Sequence, residues 1–200
     1  MIDMEEPMSL STASAASAVQ PGFLELLITP LHAAVEPYRF EACTGDAADS
    51  AAQSTRAGIA DVRLEVFVVE QGVPFSLEID ARDDLATTIH VLARGADGAP
   101  LAAGRLLIDP VHPGVVHLGR LAVRRACRGT GLGARMVSAL EDAAWRAAAA
   151  RDDGTAVTVI LSAQEQAMGF YERCGYAAVT GESYLDAGIA HQDMARVISR

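Results

Sequence analysis

The chain contains no lysine. All 16 of its basic residues are arginine, which reads as genomic base bias rather than a functional signature. Cysteine is sparse as well. Cys43, Cys127 and Cys174 are scattered, odd in number and without a Cys-x-x-Cys spacing. That argues against a disulfide framework or a zinc site and fits a reducing cytoplasm. Long apolar runs are missing too. Half of the residues are hydrophobic, enough to fill a soluble core. No run approaches the roughly 20 residues of a membrane span. The apolar stretch 23–28 is short, precedes Pro30 and follows an acidic N-terminus, so no signal peptide is expected. Positive charge is in deficit. The formal net charge of −10 would repel a phosphate backbone and argues against nonspecific nucleic-acid binding.

What is present divides in two. Residues 1–36 read as a flexible extension. Asp3, Glu5, Glu6, Glu25 and Glu36 carry half of the net charge there, and 9–19 is almost only Ser, Ala and Thr. Such a segment has little to bury. Residues 37–200 read as one domain. Strand-like runs fall at 38–43, 87–94, 101–108, 115–123, 156–162, 176–179 and 192–198. Helical runs fall at 59–70, 131–150 and 165–173, and 45–56 is helical or loop-like. Gly72 and Pro74 close the first of these, and Gly175 the last. Hairpin strands followed by a β-α-β-α order predict a mixed sheet flanked by helices, an α/β (α+β) fold.

The densest chemical signal is Arg124-Arg125-Ala126-Cys127-Arg128-Gly129-Thr130-Gly131-Leu132-Gly133-Ala134. It lies between a strand and a long helix. Glycines let backbone N–H groups converge on an anion, the helix N-terminus adds its dipole, and three arginines add charge. This is a candidate phosphate or pyrophosphate cradle. It is not a P-loop, because no Gly-Lys-Ser/Thr follows. Gly-x-Gly-x-x-Ala also fits a nicotinamide-dinucleotide fingerprint, with Asp152 and Asp153 near the expected acidic position. Against that, the loop comes after several strands rather than opening the domain. Arg-x-x-Gly-x-Gly equally fits the pyrophosphate loop of acyl-CoA-dependent acetyltransferases. A plain glycine-rich turn is the bland alternative.

A second motif, Phe170-Tyr171-Glu172-Arg173-Cys174-Gly175-Tyr176, follows the next strand. Together the two motifs resemble the GNAT superfamily of N-acetyltransferases. Residues 66–74, Glu78-x-Asp80, His90, Ala163-Gln164 and Gly188-Ile189-Ala190-His191-x-x-Met194 resemble its ElaA/YjcF-like branch. The resemblance spans roughly residues 38–198.

The resemblance implies a GNAT fold: a mostly antiparallel sheet of six or seven strands with about four helices. It also implies a V-shaped splay between strands 115–123 and 156–162. Acetyl-CoA would be the co-substrate. Its pantetheine would lie in the splay as an added strand on the backbone of Leu121, Ala122 and Val123. Its pyrophosphate would sit on Arg128, Gly129, Thr130, Gly131, Leu132, Gly133 and Ala134. Gln164 stands where many relatives carry a pantetheine-binding asparagine. The Leu121 N–H would polarise the acetyl carbonyl. Tyr171 matches the tyrosine that serves the leaving thiolate. A phenol is an uphill proton donor to a thiolate by about 2 kcal/mol at ordinary pKa values, so a hydrogen bond is the simpler role. A core tyrosine is the alternative reading.

His117 occupies the position where many relatives place a glutamate base, and a neutral imidazole suits that work near pH 7. A structural histidine on a strand is the alternative. Glu70, Glu78 and Asp80 would act through water, attract a cationic acceptor, or form a solvated rim. No metal is required. The acceptor would be a small-molecule primary amine or a protein N-terminus or lysine, and a cleft-sharing homodimer is compatible. An acyl-CoA-binding sensor or interaction protein of the same fold is the other reading.

Overall fold

A computed structural model describes residues 38–151 and 156–199. The N-terminal extension, Asp152 and Asp153 lie outside them. Among the described residues the elements are β1 (Tyr38–Thr44), α1 (Ser50–Arg63), α2 (Phe75–Glu78), β2 (Thr88–Gly95), β3 (Pro100–Ile108) and β4 (Val115–Val123). They continue with α3 (Leu132–Ala150), β5 (Ala156–Gln164), α4 (Met168–Arg173), β6 (Ala177–Asp186) and β7 (Ile189–Ser199). The seven strands form one mixed sheet in the order β1-β2-β3-β4-β5-β7-β6. The β4–β5 pairing is parallel and the others are antiparallel. This is the mixed, mostly antiparallel sheet with four α-helices that the sequence predicts.

The helices arise from local signals. Asp49 caps α1 by accepting the Ala51 and Ala52 N–H groups at 3.0 Å, which satisfies donors the helix cannot. From α1 the chain runs on through a wide π-helical stretch, Leu64–Glu70. The sequence predicts helix over 59–70; crowded β-branched residues there (Val66, Val68 and Val69) accompany the wider winding. Ile59, Val62 and Val66 pack with Leu92, Ala103 and Ala122 on one face of the sheet. On the other face α3 buries Leu132, Met136, Val137 and Leu140 against Val91, Leu106, Leu118 and Leu161. Full burial of each large side chain contributes about 1.5–3 kcal/mol.

Two features position the site. First, β4 and β5 pair only over Val115–Leu118 and Thr158–Leu161. Beyond that, Gly119–Val123 stays with β3 and Ser162–Gln164 stays with β7. The sheet therefore forks at its centre. Second, β4 carries a bulge at the fork. Arg120 and Leu121 together oppose Gly104, between the pairs Arg105–Gly119 and Ala103–Ala122. Arg120 sits at φ 52°, left-handed backbone that costs a non-glycine residue about 1–3 kcal/mol. The bulge flips the strand's alternation. Val116 and Leu118 face α3 before it, and Leu121 and Val123 do so after it.

The C-terminal hairpin departs from sequence order. β7 inserts between β5 and β6, and β6 extends to Asp186. The glycine loop follows the fourth strand of a largely antiparallel sheet. It does not follow the first strand of a parallel one, where a dinucleotide fingerprint would sit.

Candidate active site

The fork, the glycine loop and α4 meet at the C-terminal ends of β4 and β5. Gly129 and Gly131 have φ 77° and 88°, conformations that favour glycine. A Cβ at either would meet nothing within 4 Å, so a ligand can approach their backbone. Gly131 begins α3 without a side-chain cap, which leaves the first N–H groups of the helix for an anion. Gly133 works differently. A Cβ there would lie 3.3 Å from the Phe170 ring, so its smallness lets α3 close on α4. Thr130 Oγ1 donates to the Cys127 carbonyl at 2.7 Å and fixes the turn. The loop residues thus fit a pyrophosphate group.

Arg124 and Arg128 of the loop form ion pairs. Arg124 contacts Asp61 at 2.7 Å and Glu65 at 3.1 Å. Arg128 forms a bidentate pair with Glu70 at 2.6 and 2.8 Å and donates through Nε to the Val123 carbonyl at 2.9 Å. Hydrogen bonding from Arg128 holds the Glu70 carboxyl below its usual range. Glu70 therefore stands beside the glycine loop, apart from Glu78 and Asp80.

Those two acids belong to a partly buried ion-pair network that sequence spacing did not reveal. Glu78 is 2% exposed. It is bound by the Arg63 Nε, and Arg120 Nε lies 3.2 Å from its other oxygen. Asp80 contacts Arg105 at 3.1 Å and Arg82 at 3.2 Å. Asp83 contacts Arg63 at 3.0 Å and Arg105 at 2.8 Å. Arg120 also donates to the Leu77 carbonyl at 2.9 Å. The network ties the segment after α1 to the β4 bulge. Burial would raise the Asp80 carboxyl, but hydrogen bonds and charge from Arg82 and Arg105 outweigh it and bring it down to about 2. His90 lies beneath, its Nε2 2.8 Å from the Asp83 carbonyl. A carbonyl only accepts, so Nε2 carries the proton. Burial pushes the His90 pKa down and favours the neutral ring.

His117 is on β4, two residues before Gly119, with a side chain 48% exposed and Nε2 3.9 Å from Asp109. Tyr171 is on α4, 9% exposed, and meets Phe170 and Tyr176 edge-on at 5.0 and 5.9 Å between ring centroids. Burial pushes its phenol well above the ordinary range, which keeps it a protonated donor. Gln164 ends β5 and donates to Gln71 Oε1 at 3.1 Å. That bond bridges the open end of the fork, from the segment after α1 to β5. The structure thus brings Leu121, Val123, Arg128 and Gly131 to one arm of the fork and Gln164 to the other.

A hydroxyl cluster missed in the sequence lies on β5, β6 and β7. Ser162 Oγ contacts the Tyr184 hydroxyl, which donates to Asp193 Oδ1 at 2.6 Å. Tyr184 stacks on His191 at 6.2 Å. No motif announces it, because the three residues come from three strands.

Comparisons with known proteins agree with this architecture. A family model described as an acetyltransferase (GNAT) domain matches residues 52–198. YjcF of Bacillus subtilis, described as an uncharacterised N-acetyltransferase, is 40% identical over 134 residues, 66% of this chain and 86% of that protein. The crystal structure of an acyl-CoA N-acyltransferase from Pseudomonas aeruginosa superimposes with a TM-score of 0.66 at 36% identity, covering 80% of this chain and 99% of the other. Escherichia coli ElaA gives 0.66 at 27% identity over the same shares. With the forked sheet, the bulged β4 and the glycine loop in place, the chain belongs to the GNAT acetyltransferase family, as an acyl-CoA-dependent N-acyltransferase.

Proposed function

We propose that the protein transfers the acetyl group of acetyl-CoA directly to a primary amine, at the fork between β4 and β5. The observation that carries this reading is the fork itself. Gly119–Val123 keeps its β3 partners and has no partner on the β5 side, so one edge of β4 offers backbone groups to an extended ligand. Bound acetyl-CoA would supply an activated thioester. The loop from Arg128 to Ala134 would hold its pyrophosphate, and Ala122 and Val123 would hold its pantetheine with Gln164 opposite. The bulge re-aims the Leu121 N–H, which would stabilise charge on the carbonyl oxygen. Tyr171 would donate a hydrogen bond to the departing sulfur rather than its proton. His117, exposed on β4, is one candidate acceptor of the amine proton. Residues 1–36 would be an appendage to the catalytic domain.

Isothermal titration with acetyl-CoA tests the cradle. Gly131→Val, which forces a β-branched residue into left-handed backbone, should abolish binding, and a melting curve should show the fold retained. Tight binding by that variant would overturn the assignment. Tyr171→Phe should lower kcat more than it raises the acetyl-CoA Kd. Binding without turnover on any amine of a broad panel would make the protein an acyl-CoA sensor instead.

A further inference from the structure

We propose that Ser162, Tyr184 and Asp193 form a proton relay on the acceptor side of the fork, with Ser162 touching the amine and Asp193 receiving its proton. The proposal rests on the acetyl-transfer reading above. Its first support is position. The last β4–β5 pair is Leu118–Leu161, and both side chains enter the core under α3. The next residues, Gly119 and Ser162, therefore face the opposite side of the sheet. A Cβ at Gly119 would meet nothing within 4 Å, so that face is open at the junction. The pyrophosphate cradle lies beyond the far end of β4. A ligand extended from the cradle along β4 carries its acyl end toward this junction.

The second support is direction. A carboxylate only accepts, so the 2.6 Å contact commits the Tyr184 proton to Asp193. The Ser162–Tyr184 contact must then be donated by Ser162. The lone pairs of Ser162 are left to accept an N–H. The chain thus runs one way, from the fork to Asp193. The third support is rigidity. His191 donates through Nδ1 to the Ile189 carbonyl at 2.8 Å, and its ring stacks on Tyr184 at an interplanar angle of 22°. His191 is thereby a positioning residue for the phenol. Burial and the bond to Asp193 push the Tyr184 phenol above its ordinary value, so it passes a proton without persisting as phenolate.

In the step, the amine nitrogen bonds to the acyl carbon and the carbon–sulfur bond breaks, its electron pair staying on sulfur. The nitrogen's proton moves to Ser162 as the Ser162 proton moves to Tyr184 and the Tyr184 proton to Asp193. Asp193 releases it to solvent, from which the thiolate takes one up. Ser162 is a catalytic residue here; Tyr184 and Asp193 act through it.

The test uses acetyl-CoA with spermidine and phenethylamine as probe amines, and acetyl-CoA hydrolysis as a probe that needs no amine. Tyr184→Phe and Asp193→Asn should each lower kcat by about 10- to 100-fold, leave the acetyl-CoA Kd unchanged, and regain rate in imidazole buffer. Without any acyl-CoA, phenolate absorbance of the wild type minus Tyr184→Phe should show Tyr184 titrating at lower pH once Asp193 is Asn. Unchanged kcat in both variants with chemistry rate-limiting, or an unmoved Tyr184 titration, overturns the relay. So does a loss confined to His117→Ala, which would assign the proton to His117. A wild type that binds acetyl-CoA yet neither acetylates the probes nor hydrolyses it overturns the parent reading and the relay together.

Discussion

The two arms of the fork are built from opposite chemistry. On the β4 side, Arg63, Arg105 and Arg120 interlock with Glu78, Asp80 and Asp83. Each of the three carboxylates there contacts at least two guanidinium groups, and Glu78 is almost wholly buried. On the β5 side, Ser162, Tyr184 and Asp193 are exposed and joined by hydroxyl hydrogen bonds. A paired, partly buried network is costly to disturb and holds one geometry. An exposed hydroxyl chain contributes little to stability and is free to exchange protons. The first arm holds Arg120, at φ 52°, through Glu78 and the Leu77 carbonyl. The second is where proton traffic is affordable.

Breaking the charged arm should have the largest effect. Arg63→Ala takes one guanidinium from both Glu78 and Asp83, leaving them only Arg120 and Arg105, and loss of one member of a buried pair costs about 3–5 kcal/mol. Urea denaturation should show that loss. A change below about 1 kcal/mol would mean the arm is not the stiff one.

Acid should act next, and on the same arm. The Asp80 carboxyl is brought down to about 2 in the folded protein, against about 3.9 for an unperturbed aspartate. A depressed carboxyl contributes stability above its unfolded pKa and loses it as pH falls through the folded value. The Asp80 share, on the order of 2 kcal/mol, should therefore be intact at pH 5 and fade between about pH 4 and pH 2. Asp80→Asn should flatten that limb of the stability curve. An unaltered limb would assign it to other carboxyls, such as Asp83, which Arg63 and Arg105 hold low against its burial.

The smallest expected change is on the other arm. Tyr184→Phe removes one exposed hydroxyl and should shift stability by no more than about 0.5 kcal/mol. A loss several times larger in the same urea series would show that the hydroxyl chain braces the C-terminal hairpin, and the contrast between the arms would disappear.

Much of this site is legible along the chain because its cradle is local. Strand, glycine turn and helix follow one another within 115–150, so periodicity and composition expose them. Gly131 and Gly133 look alike in sequence, yet one supplies left-handed backbone and the other a close helix contact with Phe170. Glu70, Glu78 and Asp80 likewise read as one acidic group. Folding sends Glu70 to Arg128 and the other two into the arginine network. The bulge at Arg120 carries no sequence mark, since arginine does not favour positive φ and only the surrounding contacts impose it.

By itself the sequence determined most of the strands and the long helices, the strand–glycine turn–helix unit and the family, because each depends on residues close together in the chain or on ordered motifs. The tertiary structure alone decided the insertion of β7 beside β5, the partners of each carboxylate and the meeting of Ser162, Tyr184 and Asp193. Those depend on strand pairing between distant segments. Strand order, register and ion-pair choice are settled by how whole faces pack, which no local pattern encodes.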